Sequence, residues 1–182
     1  YVVNGAKVWT TKAPYCEVCL LLVRTTPKEL CDGPTQGMTL LLVEKAMGYK
    51  ARKLKKLGYR GVDTGEVEFD NVRVPASNLI GGVEGRGLQQ ILTGLELGRI
   101  NVAARGVGVA RACLEESIAY AQTRKTFGAP IAQHQAIQIK LADMATRVEA
   151  ARLLTEQAAV AYDTGERCDM EAGMAKLFAT EA

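Results

Sequence analysis

The sequence predicts an α+β protein in which a small antiparallel β-barrel or sandwich domain precedes an α-helical bundle domain. Two observations support this prediction. Short apolar runs separated by glycine, proline and asparagine fill the first part of the chain. In the second part, apolar residues recur three or four positions apart over long stretches. We therefore place the β domain at residues 1–78 and the helical domain at residues 79–182.

The β domain is predicted from several short segments that alternate between apolar and polar residues. Asn4-Gly5 lies between two such segments, residues 1–3 and 6–11, and this dipeptide is a strong signal for a β-hairpin. Turn-rich pieces separate the other segments, as in small sandwiches and barrels. Further strands are expected at residues 16–25, 38–43 and 65–72.

Two long helices are predicted, at residues 88–123 and 131–162. The first contains many glycines and alanines, which would allow a neighbouring helix to approach closely. The second has the apolar stripe of a bundle helix. Asp163-Thr164-Gly165 is expected to end it, and Asp169 is a candidate cap for a third helix. The stripe consists of Ile137, Leu141, Met144, Val148 and Ala151.

The glycine-rich segment 81–87 does not carry the lysine of a phosphate-binding loop, and we interpret it as a flexible interdomain connection. His134 stands beside Gln135 at the predicted start of a helix. No serine or cysteine nucleophile pattern surrounds it, which favours a structural or solvated histidine.

The composition is that of an ordinary globular protein, with 48% hydrophobic and 24% charged residues. A net charge of +3 is too small to indicate nucleic acid binding. The basic run 52–56 alternates with apolar residues, which favours the exposed face of a strand over a docking patch for an acidic partner. No apolar stretch reaches the roughly 18 residues of a membrane helix, and no signal-peptide pattern is present. We predict a cytoplasmic protein.

Five cysteines, an odd number, favour a reducing compartment over a disulfide framework. Cys16 and Cys19 are three residues apart in a strand-like run, so their side chains would face opposite ways. We predict no metal site there. The chain begins without methionine in a strand-like run and stops within a helical pattern, and we interpret it as an internal fragment of a longer protein.

The connection between the two long helices is the most informative segment. Arg124 closes the first helix, a Phe127-Gly128-Ala-Pro130 turn follows, and Gln135 opens the second helix. Arg124 can offer a planar, permanently charged fork to a phosphate, and Gln135 adds an amide beside it. This run closely resembles the C-terminal helical domain of the acyl-CoA dehydrogenases, flavoproteins that oxidise acyl-CoA thioesters. The resemblance covers essentially the whole chain, as an incomplete middle domain followed by an incomplete C-terminal domain.

The resemblance implies a binding site for FAD. Arg124, Phe127 and Gln135 match residues of the family that lie at the flavin cofactor, the arginine and glutamine reaching the FAD of a neighbouring subunit. Trp9-Thr10-Thr11 resembles the family's Trp-x-Thr motif, in which the indole lies against the flavin and the hydroxyl lies near its reactive nitrogen. The alternative for Trp9 is a tryptophan that packs on the β domain.

The resemblance also implies an acyl-CoA site at Glu96-Leu97-Gly98-Arg99. Without the resemblance, Glu96 and Arg99 would be interpreted as an ordinary ion pair on one face of a helix. Some branches of the family place a catalytic glutamate at the position of Gly98, and glycine cannot abstract a proton. The resemblance therefore implies that the base lies beyond residue 182, and we expect this fragment to be inactive by itself.

The reaction implied by the resemblance is oxidation of a short- or medium-chain acyl-CoA to the trans-2-enoyl-CoA, as in β-oxidation. Electrons would pass to an electron-transferring flavoprotein, and a homotetramer is the expected assembly. Two alternatives stay open at this point. Relatives on this scaffold include oxidases and monooxygenases, and a helical scaffold could retain the fold without the chemistry.

Overall fold

A computed structural model describes residues 1–165 and 167–182. The chain divides into two compact units, Tyr1–Leu92 and Thr93–Ala182. The strands of the first unit and the helices of the second confirm the α+β fold class. No disulfide joins the five cysteines, all of which are free and lie in the described part of the chain.

The first unit contains two antiparallel sheets. Strands β1 (Val2–Thr11), β4 (Lys50–Lys53) and β5 (Thr64–Arg73) form one sheet in the order β1-β5-β4. Strands β2 (Val18–Arg24) and β3 (Met38–Glu44) form the other. Both sheets contribute to one core, since alternate residues of β5 and most of β3 face inward. Its most buried members include Leu21, Leu41, Val43, Val67 and Phe69.

The predicted hairpin at Asn4-Gly5 is wrong. Residues 2–11 form the single strand β1, and its pairing with β5 is irregular between Val3 and Gly5. Gly5 has a φ of 137°, and the Asn4 side chain accepts a hydrogen bond from the Asn71 backbone at 2.8 Å. Asn-Gly supplies the unusual backbone of a β-bulge as readily as that of a turn, so the dipeptide alone does not distinguish them.

The glycine-rich segment is exposed over residues 81–86, but contacts at its end hold it in place. The backbone N–H of Gly85 donates to Thr39 Oγ1 at 2.9 Å, and Arg86 bridges to Met38. At Gly87 a Cβ atom would lie 2.4 Å from the carbonyl carbon of Thr39, so only glycine allows this approach to β3. The predicted flexible connection is therefore anchored on the first unit.

The helices agree closely with the prediction. Helix α1 (Gly87–Thr123) ends before a short hairpin formed by β6 (Lys125–Thr126) and β7 (Ala129–Pro130). Helix α2 (Gln135–Asp163) follows, and Gly165, with a φ of 76°, comes directly after its last turn. Helix α3 (Asp169–Glu181) begins one residue earlier than a cap at Asp169 would require, because Cys168 is the capping residue. No described helix is long and apolar enough to span a membrane.

Small residues line the core of the helical unit, as the sequence predicts. Ile100 is the largest buried member of its hydrophobic cluster, and the other buried members are alanines. A Cβ atom on Gly106 of α1 would lie 2.5 Å from the carbonyl oxygen of Ala179 in α3. The helices therefore approach almost to backbone contact. The buried alanines are Ala103, Ala151, Ala158, Ala172, Ala175 and Ala179.

Candidate flavin and acyl-CoA sites

In the first unit, the last residues of β1 present an exposed indole on a strained backbone. Trp9 has a φ of 63° and its side chain is 69% exposed. The pairing of β1 with β5 is irregular between Lys7 and Thr10, and resumes with Thr10 opposite Gly65. The left-handed conformation costs a bulky residue about 1–2 kcal/mol. The structure therefore holds the indole outward against its backbone preference.

The residues after Trp9 fix that geometry. Lys12 is also left-handed, with a φ of 62°, and its N–H donates to the Asp63 carbonyl at 2.8 Å. Ala13 is fully buried and closes the turn with a 3.4 Å bond from its N–H to the Thr10 carbonyl. Thr11, predicted to lie at the flavin, is exposed beside this anchored turn. A flat apolar ring and a hydroxyl are thus displayed on a rigid support.

In the second unit, the α1–α2 connection presents a second exposed aromatic side chain. Phe127 and Gly128 have φ values of 52° and 82° and form the two-residue loop of the β6–β7 hairpin. Two successive left-handed residues are the signature of a type I′ turn, in which phenylalanine is unfavourable. Phe127 is nevertheless 99% exposed, so burial within this chain does not offset the strain.

Hydrogen bonds hold the hairpin between the two helices. The Ile131 N–H donates to the Arg124 carbonyl at 2.8 Å, which joins its two ends. Thr126 Oγ1 lies 2.9 Å from His134 Nε2, and the His134 ring meets Phe127 edge-on at 6.1 Å between centroids. His134 therefore has a structural role, as predicted. Arg124 and Gln135 flank the hairpin, and both are exposed.

The segment Glu96–Arg99 of α1 faces the start of α3. Glu96 is 8% exposed, and its Oε2 accepts a hydrogen bond from the Cys168 thiol at 3.5 Å. Arg99 Nη1 forms an ion pair with Asp169 Oδ1 at 3.8 Å, and Asp169 Oδ2 accepts a hydrogen bond from Arg167 Nε. Among the described residues, the ion-pair partner of Arg99 is Asp169. The simple Glu96–Arg99 pair is thus not formed.

These contacts shift two pKa values. Burial raises the pKa of Cys168, and the hydrogen bond to Glu96 acts in the same direction. The hydrogen bond from the Arg167 guanidinium lowers the pKa of Asp169 below its ordinary value, a hydrogen bond with the Glu96 side chain acts in the same direction, and the charge of Arg99 adds a smaller contribution. Asp169 therefore stays ionised at neutral pH, and Cys168 stays a thiol.

The other two residues of the predicted acyl-CoA segment are more open. The side chain of Leu97 is partly exposed, and a Cβ atom on Gly98 would meet nothing within 4 Å. Free space beside Gly98 leaves room for a ligand on that side of α1, although a glycine contributes only its backbone.

Two features of the structure were not predicted from the sequence. Asp169 and Cys168 reach Glu96 and Arg99 across some 70 positions of the chain, and no local pattern reports such a contact. Tyr59 is a third exposed aromatic residue with a positive φ, 52°, and Lys56 Nζ lies 5.5 Å from its ring centroid. Its position between Gly58 and Gly61 could have indicated a special backbone. No group of three or more metal-ligating side chains occurs among the described residues.

The fold and these surfaces define an α+β protein whose β unit and helical unit each display an exposed, conformationally strained aromatic side chain. The model of the acyl-CoA dehydrogenase middle domain matches residues 1–72, and the model of the acyl-CoA dehydrogenase C-terminal domain matches residues 85–182. The chain belongs to the acyl-CoA dehydrogenase family.

Individual relatives agree with that membership. An acyl-CoA dehydrogenase of Bacillus subtilis is 42% identical over the whole chain, which covers 47% of that relative. CarC, a subunit of the caffeyl-CoA reductase-Etf complex of Acetobacterium woodii, is 38% identical, again with 47% covered. Butyryl-CoA dehydrogenase from Megasphaera elsdenii superimposes with a TM-score of 0.93 at 33% identity; the match covers all of this chain and 46% of that structure. The chain spans about half the length of these relatives.

Proposed function

We propose that the protein to which this chain belongs is an FAD-dependent dehydrogenase that oxidises an acyl-CoA to the trans-2-enoyl-CoA. The observation that carries the proposal is the exposed indole of Trp9 on a left-handed backbone. Strain of this kind persists where the surroundings impose it, and it concentrates at ligand sites. Membership of the acyl-CoA dehydrogenase family supports the same interpretation.

The residues of the two units suit FAD. The Trp9 indole offers a flat apolar wall for the ring system, and the Thr11 hydroxyl offers a hydrogen bond at its edge, with Thr10 contributing backbone. Arg124 and Gln135, flanking the Phe127 hairpin, suit a phosphate-bearing group, and we assign them to FAD of a neighbouring subunit. Bound FAD would supply the hydride acceptor, which no amino-acid side chain can provide.

The acyl-CoA substrate is assigned to the 96–99 segment of α1. Gly98 leaves open space there, and Arg99 keeps a partly exposed guanidinium beside it. A carboxylate base must remove the α-proton of the substrate. Gly98 has no side chain, and Glu96 is buried and accepts a hydrogen bond from the Cys168 thiol, so neither residue is suited to this role. We expect the base on chain beyond residue 182. Short- and medium-chain substrates are the proposed class.

Electron transfer and assembly complete the proposal. We propose an electron-transferring flavoprotein as the acceptor of electrons, supported by the relative whose name places it in a complex with Etf. If Arg124 and Gln135 contact FAD of a neighbouring subunit, cofactor binding and oligomerisation are coupled, and we propose a homotetramer in the cytoplasm.

Anaerobic titration of the full-length protein tests the function. The purified protein should carry flavin absorption near about 450 nm, and one member of a panel of acyl-CoAs should bleach it as the flavin accepts the hydride. A flavin-containing protein that no acyl-CoA bleaches would indicate the chemistry of an oxidase or monooxygenase relative. A colourless protein that does not bind added FAD would contradict the proposal and favour a non-catalytic scaffold.

A further inference from the structure

A group of five polar side chains joins helix α1 to the start of α3. We call it the α1–α3 polar cluster, and it comprises Glu96, Arg99, Arg167, Cys168 and Asp169. Its two ends differ in exposure. Glu96 and Cys168 are buried against each other, whereas Arg99 and Asp169 are partly exposed at the edge of the contact.

Asp169 is the centre of the exposed end. Each of its two carboxylate oxygens faces a different arginine, Oδ1 facing Arg99 and Oδ2 facing Arg167. A guanidinium has five N–H donors, and the contact with Asp169 involves the Nη1 group of Arg99. The remaining donors of Arg99 stay available for another acceptor, and the side chain is 38% exposed.

The buried end keeps Glu96 away from a ligand. Its Oε2 accepts the thiol hydrogen of Cys168, and the residue is almost inaccessible. Glu96 therefore fixes α3 on α1, and within residues 96–99 the charged group open to a ligand is Arg99. Arg99 lies on α1, and its counter-ion, Asp169, lies on the neighbouring helix α3.

We propose that Asp169 is a positioning residue, which holds the Arg99 guanidinium so that its free N–H groups meet an oxygen acceptor of the acyl-CoA. The inference rests on the proposed function and adds to it a residue on α3 that sequence patterns do not indicate. Asp169 does not itself contact substrate. It orders a long flexible side chain before the substrate arrives, so less conformational freedom is lost on binding.

The test is steady-state kinetics of the full-length FAD-containing protein with Asp169→Asn, which keeps the shape and removes the charge. Ordering one such side chain changes an equilibrium constant by roughly 2–10-fold. We expect KM for the acyl-CoA to rise by about that factor while kcat stays within about twofold and flavin content is unchanged. Asp169→Glu should restore part of the lost affinity because it keeps the charge.

A matched control is available on the same helix. Arg111 and Glu115 form an exposed ion pair with 3.1 Å between Nε and Oε1, so Glu115→Gln removes a comparable carboxylate from an arginine of α1. We expect Glu115→Gln to leave KM unchanged. A merely structural role for Asp169 would lower thermal stability without separating KM from kcat.

The outcomes separate the two claims. If wild-type protein turns over an acyl-CoA and Asp169→Asn has the wild-type KM, or Glu115→Gln raises KM equally, the positioning role is wrong and the proposed function stands. If Asp169→Asn does not fold, Asp169→Ser decides, because it also removes the carboxylate, and a wild-type KM in that variant would contradict the role. If wild-type protein turns over no acyl-CoA, the proposed function fails and the positioning role fails with it.

Discussion

At the scale of single residues, the aromatic side chains with a left-handed backbone are the most informative about function. Trp9 and Phe127 are unfavourable in a conformation that glycine adopts freely, and both are exposed. Each costs about 1–2 kcal/mol relative to an ordinary conformation. Both were predicted from sequence to contact FAD, and the exposure gives that prediction a physical reason. Tyr59 shares the property, and we assign it no role.

Tyr49 provides a prediction about pH. It is buried, its ring packs 5.6 Å from that of Phe69, and its hydroxyl donates to the Cys16 carbonyl at 3.0 Å. Burial raises the pKa of Tyr49 well above its ordinary value of 10, and the hydrogen bond with the Cys16 side chain adds to the shift. The folded state therefore favours the neutral phenol.

The sign of the effect follows from linkage. A raised pKa contributes stability that is fully present below the unfolded pKa of about 10 and is lost as the pH rises from there toward the folded pKa. The free energy of unfolding should therefore fall more steeply between pH 9 and about 11 in wild-type protein than in Tyr49→Phe. Urea unfolding at several pH values measures this difference. Tyr15→Phe, at an exposed tyrosine, is the control and should keep the wild-type slope.

At the residue scale, contacts between residues far apart in sequence could not be predicted. Arg99 and Glu96 were visible as a helical pair, but their partners Asp169 and Cys168 lie on another helix. Sequence spacing reports neighbours within one helix, and it carries no information on which helix packs alongside. The same-face ion pair that spacing alone suggests for Glu96 and Arg99 is not formed, because α3 supplies other partners for both side chains.

At the scale of elements, helices were predicted better than strands. Helices α1 and α2 are 37 and 29 residues long. A helical pattern is easier to detect over such lengths, and the observed bounds lie within about four residues of the predicted ones. The β1 segment is ambiguous because a bulge and a hairpin turn both need a glycine of unusual backbone geometry. Pairing with β5 decides between them, and that pairing joins residues about 60 positions apart.

The contact between α1 and α3 gives an element-scale prediction. Gly106→Ala should destabilise this chain by roughly 1–3 kcal/mol, because the added methyl group would lie 2.5 Å from the Ala179 carbonyl oxygen and the helices would have to separate. Gly108→Ala is the matched control two positions away, where a Cβ atom meets nothing within 4 Å. It should stabilise the helix by about 0.5–1 kcal/mol.

Chemical denaturation of both variants measures these changes. If Gly106→Ala and Gly108→Ala change the free energy of unfolding equally, the contact between α1 and α3 does not exclude a methyl group at position 106. Opposite signs would locate the tight contact at that glycine.

At the scale of the whole molecule, long apolar side chains are exposed on all three helices, and contiguous exposed apolar surface is typical of protein–protein interfaces. The proposed tetramer, with FAD shared between subunits, would cover part of this surface. Fold class and the two-part organisation were evident from sequence because they depend on periodicity, whereas assembly depends on surfaces that periodicity does not describe. The exposed residues include Val109, Tyr120, Leu153, Val160, Met170 and Leu177.

In our proposal, the chain holds the Trp9 indole outward, at an energetic cost to the fold, so that the ring can bind a flavin. The most direct test is Trp9→Gly in the full-length protein, with unfolding of the FAD-free protein and FAD affinity measured on the same preparation. Glycine removes the left-handed strain, so stability should stay within about 1 kcal/mol of wild type. The affinity for FAD should fall by about tenfold or more as the aromatic wall is lost. A stability loss of about 3–5 kcal/mol with unchanged FAD affinity would identify Trp9 as a packing residue and contradict the account.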